Sequence, residues 1–190
     1  MKILVTSFGA FLKNNINSSL ECMNELPKTI NDSDIFKCEL PVSYKESRMK
    51  LLVCIQDIQP DIVISLGLAS GRKTISLETQ AINLMDSKYP DNDGCVFENE
   101  IIYKNCENYI KSQFDLEKIK NNLSKKYPFI SISNSAGTYV CNAVYFSSLH
   151  AQKGNQKKSV FIHLPNFEII SKEVMVNVLK DIIIELIENY

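Results

Sequence analysis

The chain has 190 residues, 45% of them hydrophobic, and a formal net charge of -1, which predicts a single soluble domain over residues 1–190. The small net charge, without a block of like charges, argues against a nucleic acid or an anionic membrane as a partner. No apolar run approaches the roughly 18 residues that a membrane-spanning helix needs. We therefore expect a cytoplasmic protein.

Apolar runs alternate with amphipathic segments along the chain. A turn at 70–72 leads into an apolar segment at 74–82, and an irregular region over 87–112 contains an expected hairpin at 95–103. The predicted strands are 2–8, 35–42, 61–68, 129–133 and 160–163, and the predicted helices are 18–26, 43–59, 116–127, 140–152 and 171–188.

Strands separated by helices predict an α/β fold, with one open, mostly parallel twisted sheet and helices on both faces. In such sheets, functional sites form beyond the carboxyl ends of the strands. The segments that follow predicted strand ends contain Phe8 with Phe11, then 67–72, 134–141 and His163.

The six cysteines are scattered, and no two form a C-x-x-C pair. Reduced thiols are therefore expected rather than a disulfide framework, and most of them should be small buried side chains. The chain has two histidines, and neither lies near a cysteine pair, so we expect no metal and no other cofactor. The cysteines are Cys22, Cys38, Cys54, Cys95, Cys106 and Cys141.

Cys141 is the candidate nucleophile. It follows a loop of small residues, 134–138, at the start of a predicted helix. Backbone N–H groups and the positive end of the helix dipole are expected to favour its thiolate there. The amides of the same turn could also receive an oxyanion.

A cysteine nucleophile needs a base, and His163 is reached by elimination. His150 lies nine residues after Cys141 on the same predicted helix, about 13 Å along its axis, and cannot touch the thiol. His163 closes the last predicted strand and arrives at the same edge of the sheet as Cys141. The alternative, an ordinary histidine at a strand end, stays open on these grounds alone.

The third group should be a carboxylate that fixes the tautomer of the imidazole. Glu78 and Asp91 are both candidates, and Asp86 is a weaker one. Nothing in the local sequence decides between Glu78 and Asp91.

These motifs, in this order, resemble the pyroglutamyl peptidase I (pyrrolidone carboxyl peptidase) family of cysteine peptidases over nearly the whole chain. The most specific run is Ala-Gly-Thr-aromatic-Val-Cys-Asn at 136–142. The other matching stretches are 3–8 with Phe11, 16–17, 40–42, 60–67 with 71–72, 77–78 with 81–83, 90–92, 133–135 and 161–165.

The resemblance implies a cysteine exopeptidase (omega peptidase) that hydrolyses the bond after an N-terminal pyroglutamyl residue, often as a homotetramer. It implies a triad of Cys141, His163 and Glu78, and so favours Glu78 over Asp91 as the carboxylate. Arg72 and Asp91 remain supporting residues, and Arg72 is expected to position the loop before Cys141.

The resemblance also implies a substrate pocket in which Phe8, Phe11 and Tyr139 enclose the lactam ring, with Val140 and Leu68 beside it. Aromatic faces suit a small, flat, uncharged ring. The chain departs from the family pattern with Tyr139 in place of Phe, Leu68 in place of Gln and Gly-Ala at 9–10 in place of Glu-Pro.

These departures keep two alternatives open. One is a catalytically weak or silent relative that binds pyroglutamyl-like peptides. The other is a hydrolase of a different small N-acyl or lactam group, because Leu68 makes the pocket more apolar.

Overall fold

The computed structural model describes residues 1–9, 17–154 and 156–190. Strands and helices alternate over most of this length, as the sequence predicts. The strands are β1 (Lys2–Phe8), β2 (Thr29–Ile30), β3 (Ser33–Leu40), β4 (Ile62–Leu68), β5 (Ile75–Glu78), β6 (Gln80–Ile82), β7 (Tyr109–Lys111), β8 (Ile130–Ser133) and β9 (Lys158–Leu164). The helices are α1 (Ser18–Glu25), α2 (Tyr44–Ile58), α3 (Leu116–Leu123), α4 (Val140–Gln152) and α5 (Lys172–Glu188).

Seven strands form one sheet in the order β2-β3-β1-β4-β9-β5-β8. Strand β1 pairs in parallel with β3 and β4, and β4 pairs in parallel with β9. Strand β5 runs antiparallel to β9 and parallel to β8, while β2 is antiparallel to β3. The predicted α/β fold with a mostly parallel sheet is confirmed.

Helices cover both faces of this sheet. One hydrophobic cluster joins α1, α3 and α5 to one face, and a second joins α2 and α4 to the other. Strand β4 lies between β1 and β9, and its first six residues are buried, which explains its continuous apolar run. In the described ranges, no helix is long and apolar enough to cross a membrane.

The middle of the chain contains one strand pair that was not predicted and lacks a hairpin that was predicted. The segment 74–82 is split into β5 and β6, and β6 pairs with the short strand β7, which was not predicted. The hairpin expected at 95–103 is absent from that stretch, which is fully described. This stretch instead contacts the residues before it. Met85 and Glu100 form an isolated antiparallel bridge, and the Asn83 side chain donates to the carbonyl oxygen of Tyr103 and accepts from its N–H, at 2.8 and 2.9 Å.

Candidate active site

The pairing of three strands places the chemical groups on one face of the sheet. Gly67 of β4 is in register with His163 of β9. On the other side of β9, the antiparallel β5 places Ser76 opposite His163 and Glu78 opposite Phe161. Because paired residues share a face and side chains repeat every two residues along a strand, Glu78 and His163 point the same way.

Glu78 and His163 form a buried hydrogen-bonded pair. The Oε1 atom of Glu78 lies 2.7 Å from Nδ1 of His163, and the two residues are 0% and 5% exposed. An ionised carboxylate can only accept, so Nδ1 carries the proton and Nε2 is left as the proton acceptor. The fold thus brings into contact a histidine and a carboxylate that are 85 residues apart in the sequence.

Arg72 holds the same carboxylate and the loop before Cys141. Its Nη1 donates to Glu78 Oε1 at 2.7 Å, and its Nη2 donates to the carbonyl oxygen of Ser135 at 3.1 Å. The contact of Arg72 with the loop before Cys141 was predicted from the sequence, whereas its hydrogen bond to Glu78 was not. The other oxygen of Glu78, Oε2, is buried and has no hydrogen-bond partner among the described residues.

Tyr145 is a buried neighbour of Glu78 that the sequence reasoning missed. It is fully buried, and its hydroxyl donates to the backbone oxygen of Glu78 at 2.8 Å. A tyrosine four residues after Cys141 lies on the same side of the helix, and a buried hydroxyl needs a partner. That spacing was the signal available in the sequence.

Cys141 lies in the first turn of α4, which begins at Val140. Tyr139 is the N-cap residue, and its side chain makes no capping hydrogen bond. The first N–H groups of a helix have no acceptor within the helix, so these amides are available to an oxyanion. Asn142 is buried and fastens this turn to Ile82 and Leu84 through three hydrogen bonds of 2.9–3.0 Å.

The thiol lies beside the strand that carries the imidazole. Its Sγ is 3.2 Å from the position that a Cβ atom would take at Gly67, the residue paired with His163. Cys141 and His163 therefore lie at the same edge of the sheet. In the part of the chain that the structure describes, no hydrogen bond joins their side chains. The hydrogen bond between a catalytic nucleophile and its base is often long before the substrate binds and shortens in the complex.

Burial controls the ionisation of both groups. It raises the pKa of Cys141 to about 12, with a smaller contribution from the charge of Glu78, against the lowering effect of a backbone hydrogen bond and Arg72. Burial also lowers the pKa of His163, while the hydrogen bond that His163 donates to Glu78 opposes that shift. Burial thus outweighs the backbone hydrogen bond and Arg72 at Cys141 and favours a neutral thiol beside a neutral imidazole, while the contribution of the helix dipole to the thiolate stays a prediction.

A cavity of about 460 Å³ opens directly at the thiol. Four of the five predicted substrate residues line it with Cys141, and the fifth, Phe11, lies outside the described residues. The predicted lining residues are Phe8, Leu68, Tyr139 and Val140, and those that the sequence reasoning missed are Asn17, Val42, Ser70, Ser87 and Tyr89.

Asp91 has a different environment from Glu78. Its carboxylate accepts hydrogen bonds from the backbone N–H groups of Tyr44, Asp93 and Cys95, at 2.8–3.0 Å. It therefore organises the turn whose Pro90 carbonyl oxygen accepts from the Tyr139 hydroxyl at 3.0 Å. Asp91 thus stabilises the turn that contacts Tyr139 in the wall of the cavity, whereas Glu78 is the carboxylate that contacts the imidazole of His163.

His150 is also away from the thiol of Cys141, as the helix spacing predicts. Its Nδ1 lies 3.3 Å from Sγ of Cys106, and its ring stacks on Tyr103. Across the described ranges, no three His, Cys, Asp or Glu side chains are grouped as metal ligands.

Substitution of Gly67 by alanine is expected to lower both stability and activity. The added Cβ would lie 2.8 and 2.9 Å from Phe161 ring atoms and 3.2 Å from Cys141 Sγ. Overpacking of this kind costs about 1–3 kcal/mol, and displacement of the thiol should lower kcat/KM at least about tenfold. Thermal unfolding and initial rates would measure both effects.

Gly71→Ala is the matched control, because a Cβ there meets nothing within 4 Å. Equal rates for the two alanine variants would contradict the close approach of the thiol to β4.

A thiol, an imidazole and a carboxylate at one edge of an α/β sheet are the chemical groups of a cysteine hydrolase. A family model described as pyroglutamyl peptidase matches residues 1–180, and the chain belongs to this family. It is similar to the pyrrolidone-carboxylate peptidase of Brachyspira hyodysenteriae, with 39% identity over 99% of this chain and 96% of the relative.

Solved structures show the same similarity. A mutant pyrrolidone carboxyl peptidase from Pyrococcus furiosus superposes with a TM-score of 0.92 at 35% identity, covering 99% of both chains. Pyroglutamyl peptidase I from Bacillus amyloliquefaciens gives a TM-score of 0.89 at 26% identity, covering 95% of this chain and 94% of that structure.

Proposed function

We propose that this protein is a cysteine-type exopeptidase that hydrolyses the bond after an N-terminal pyroglutamyl residue of peptides. The observation that carries the proposal is the apolar cavity that ends at Cys141, beside the buried Glu78–His163 pair. Membership of the pyroglutamyl peptidase family supports the same reaction.

The reaction follows from the positions of these groups. Cys141 Sγ attacks the carbonyl carbon that joins pyroglutamate to the next residue, and Nε2 of His163 takes the thiol proton. Glu78 stabilises the resulting imidazolium through Nδ1, and first-turn amides of α4 stabilise the oxyanion. His163 then protonates the leaving amine, and water hydrolyses the acyl-enzyme.

The cavity explains why the substrate should be a lactam. All of its described lining residues are uncharged, and Phe8, Val42, Leu68 and Tyr139 provide apolar or aromatic surface. A pyroglutamyl ring carries no charge, so it can enter without an ion pair. A glutamyl residue would bring an ammonium group and a carboxylate, whose desolvation would be uncompensated.

A comparison of four amides of one chromogenic amine tests the proposal. Pyroglutamyl amide should exceed glutamyl, prolyl and acetyl amides by at least about 100-fold in kcat/KM. Iodoacetamide should abolish the activity. Binding of pyroglutamyl amide without release of the amine would indicate the silent relative, and faster acetyl or prolyl turnover would indicate the other N-acyl hydrolase.

The pH dependence should reflect a buried neutral base. The pKa of His163 is lowered by burial, so the imidazole stays unprotonated down to a pH below 6.5. The midpoint of the acid limb of kcat/KM should therefore lie below pH 6.5, and no second change from ionisation of the Cys141 thiol should appear up to about pH 9, because burial raises the pKa of that thiol. An acid limb above pH 7 in a series of initial rates would contradict the neutral pair.

We also propose that residues 1–190 form one catalytic domain, which assembles as a homotetramer in the cytoplasm. The match of the family model to residues 1–180 supports a single catalytic unit. Light scattering on the purified protein would test the assembly, and a monomer at micromolar concentration would contradict it.

A further inference from the structure

Two cysteines outside the catalytic groups face each other across the layer between sheet and helix. Cys38 lies on β3 and Cys54 on α2, and their sulfur atoms are 2.8 Å apart. This separation is about 0.8 Å longer than a disulfide bond of about 2.05 Å. Two thiolates on a tetrahedral zinc ion would lie about 3.8 Å apart, so the spacing fits a direct sulfur–sulfur bond better than a bridging metal.

We propose that Cys38 and Cys54 are an oxidative modification site, at which hydrogen peroxide converts the two thiols into an intramolecular disulfide. The site uses neither Cys141 nor its partners, so it stands independently of the proposed peptidase activity.

The two sulfurs have different access to an oxidant. Cys38 is 8% exposed, whereas Cys54 is only partly buried. Burial and the contact with Cys54 raise the pKa of Cys38 to about 12, so Cys38 is held as a thiol. The sulfur of Cys54 is therefore the one that meets peroxide first.

The two steps balance without any further reactant. The sulfur of Cys54 attacks one peroxide oxygen as its S–H proton leaves, the O–O bond breaks, and the departing hydroxide takes that proton to become water. The sulfur of Cys38 then attacks the sulfenic sulfur of Cys54, and the displaced hydroxide takes the Cys38 proton. Two thiols and one peroxide thus give one disulfide and two waters.

The bond would close a loop that borders the substrate cavity. Between the two cysteines lie Val42, which lines the cavity, and Tyr44, whose hydroxyl donates to the carbonyl oxygen of Thr138 at 3.2 Å. A closed loop of about 15 residues restricts the unfolded chain and should raise the unfolding midpoint by roughly 5–10 °C.

The test uses the full chain, treated with hydrogen peroxide, blocked with N-ethylmaleimide and digested with trypsin without reduction. Cleavage after Lys37, Lys45, Lys50 and Arg72 places the two cysteines on separate peptides, 38–45 and 51–72. We expect these peptides to be joined, two hydrogens lighter than their sum, and the intact oxidised protein to unfold at a higher temperature.

Cys54→Ser should abolish both the joined peptide and the rise in unfolding temperature. Cys38→Ser should have the same effect, because it removes the buried partner. If that variant does not fold, Cys54→Ser still tests the proposal, because Cys54 is the more exposed of the two residues. Cys106→Ser is the matched control and should still give both results, since its sulfur faces His150. Separate maleimide or sulfinic adducts on 38–45 and 51–72, or equal unfolding temperatures before and after oxidation, would overturn the proposal.

Discussion

Replacing Cys141 by serine is expected to lower kcat on a pyroglutamyl amide by about 10³–10⁶-fold. The hydroxyl of serine is a far weaker acid than the thiol, and His163 is a weak base because burial lowers its pKa. KM should change little, since Cys141 is one of the ten described residues that line the cavity. Initial rates at saturating substrate measure the loss.

Cys106→Ser provides the control for this experiment. Cys106 is also a half-buried cysteine beside a histidine, with Sγ 3.3 Å from Nδ1 of His150, but it lies outside the cavity. It should keep the activity of the unsubstituted protein. A Cys141→Ser protein that unfolds at the normal temperature and turns over substrate within tenfold of normal would remove Cys141 from the mechanism.

Local sequence was sufficient for the elements that carry Cys141 and His163. The predicted bounds of β1 and α4 agree with the structure, because a short apolar run and a small-residue loop before a helix are local signals. The strand containing His163 was also predicted, although the observed β9 is longer at both ends. These elements were enough to bring the thiol and the imidazole to the same sheet edge.

Local sequence left Glu78 and Asp91 equivalent as the carboxylate and only the family resemblance favoured Glu78, whereas the contact of Glu78 with His163 depends on tertiary structure. Glu78 reaches His163 because β5 runs antiparallel to β9, a strand order that no local pattern specifies. Asp91 looked equivalent in sequence, yet its oxygens are occupied by three backbone N–H groups. The burial that raises the pKa of Cys141 was hidden for the same reason, because it depends on packing from distant segments.

Substitution of Glu78 by glutamine is expected to lower kcat by about 10²–10⁴-fold while leaving the cavity intact. The amide lacks the charge that stabilises the imidazolium. If its nitrogen faces Nδ1, it forces the other tautomer, whose Nε2 cannot accept the thiol proton. If its oxygen faces Nδ1 instead, the amide nitrogen takes the place of Oε2, which has no partner among the described residues.

The pH profile separates this electrostatic role from a general loss of structure. Glu78 raises the pKa of His163 against burial, and Arg72 lowers it. Without the carboxylate, both remaining influences lower the pKa, so the acid limb of kcat/KM should move to lower pH as the rate falls. Asp91→Asn removes another buried carboxylate and should reduce the unfolding temperature without moving that limb. A Glu78→Gln protein with an unshifted acid limb would show that Glu78 positions the imidazole without acting on its charge.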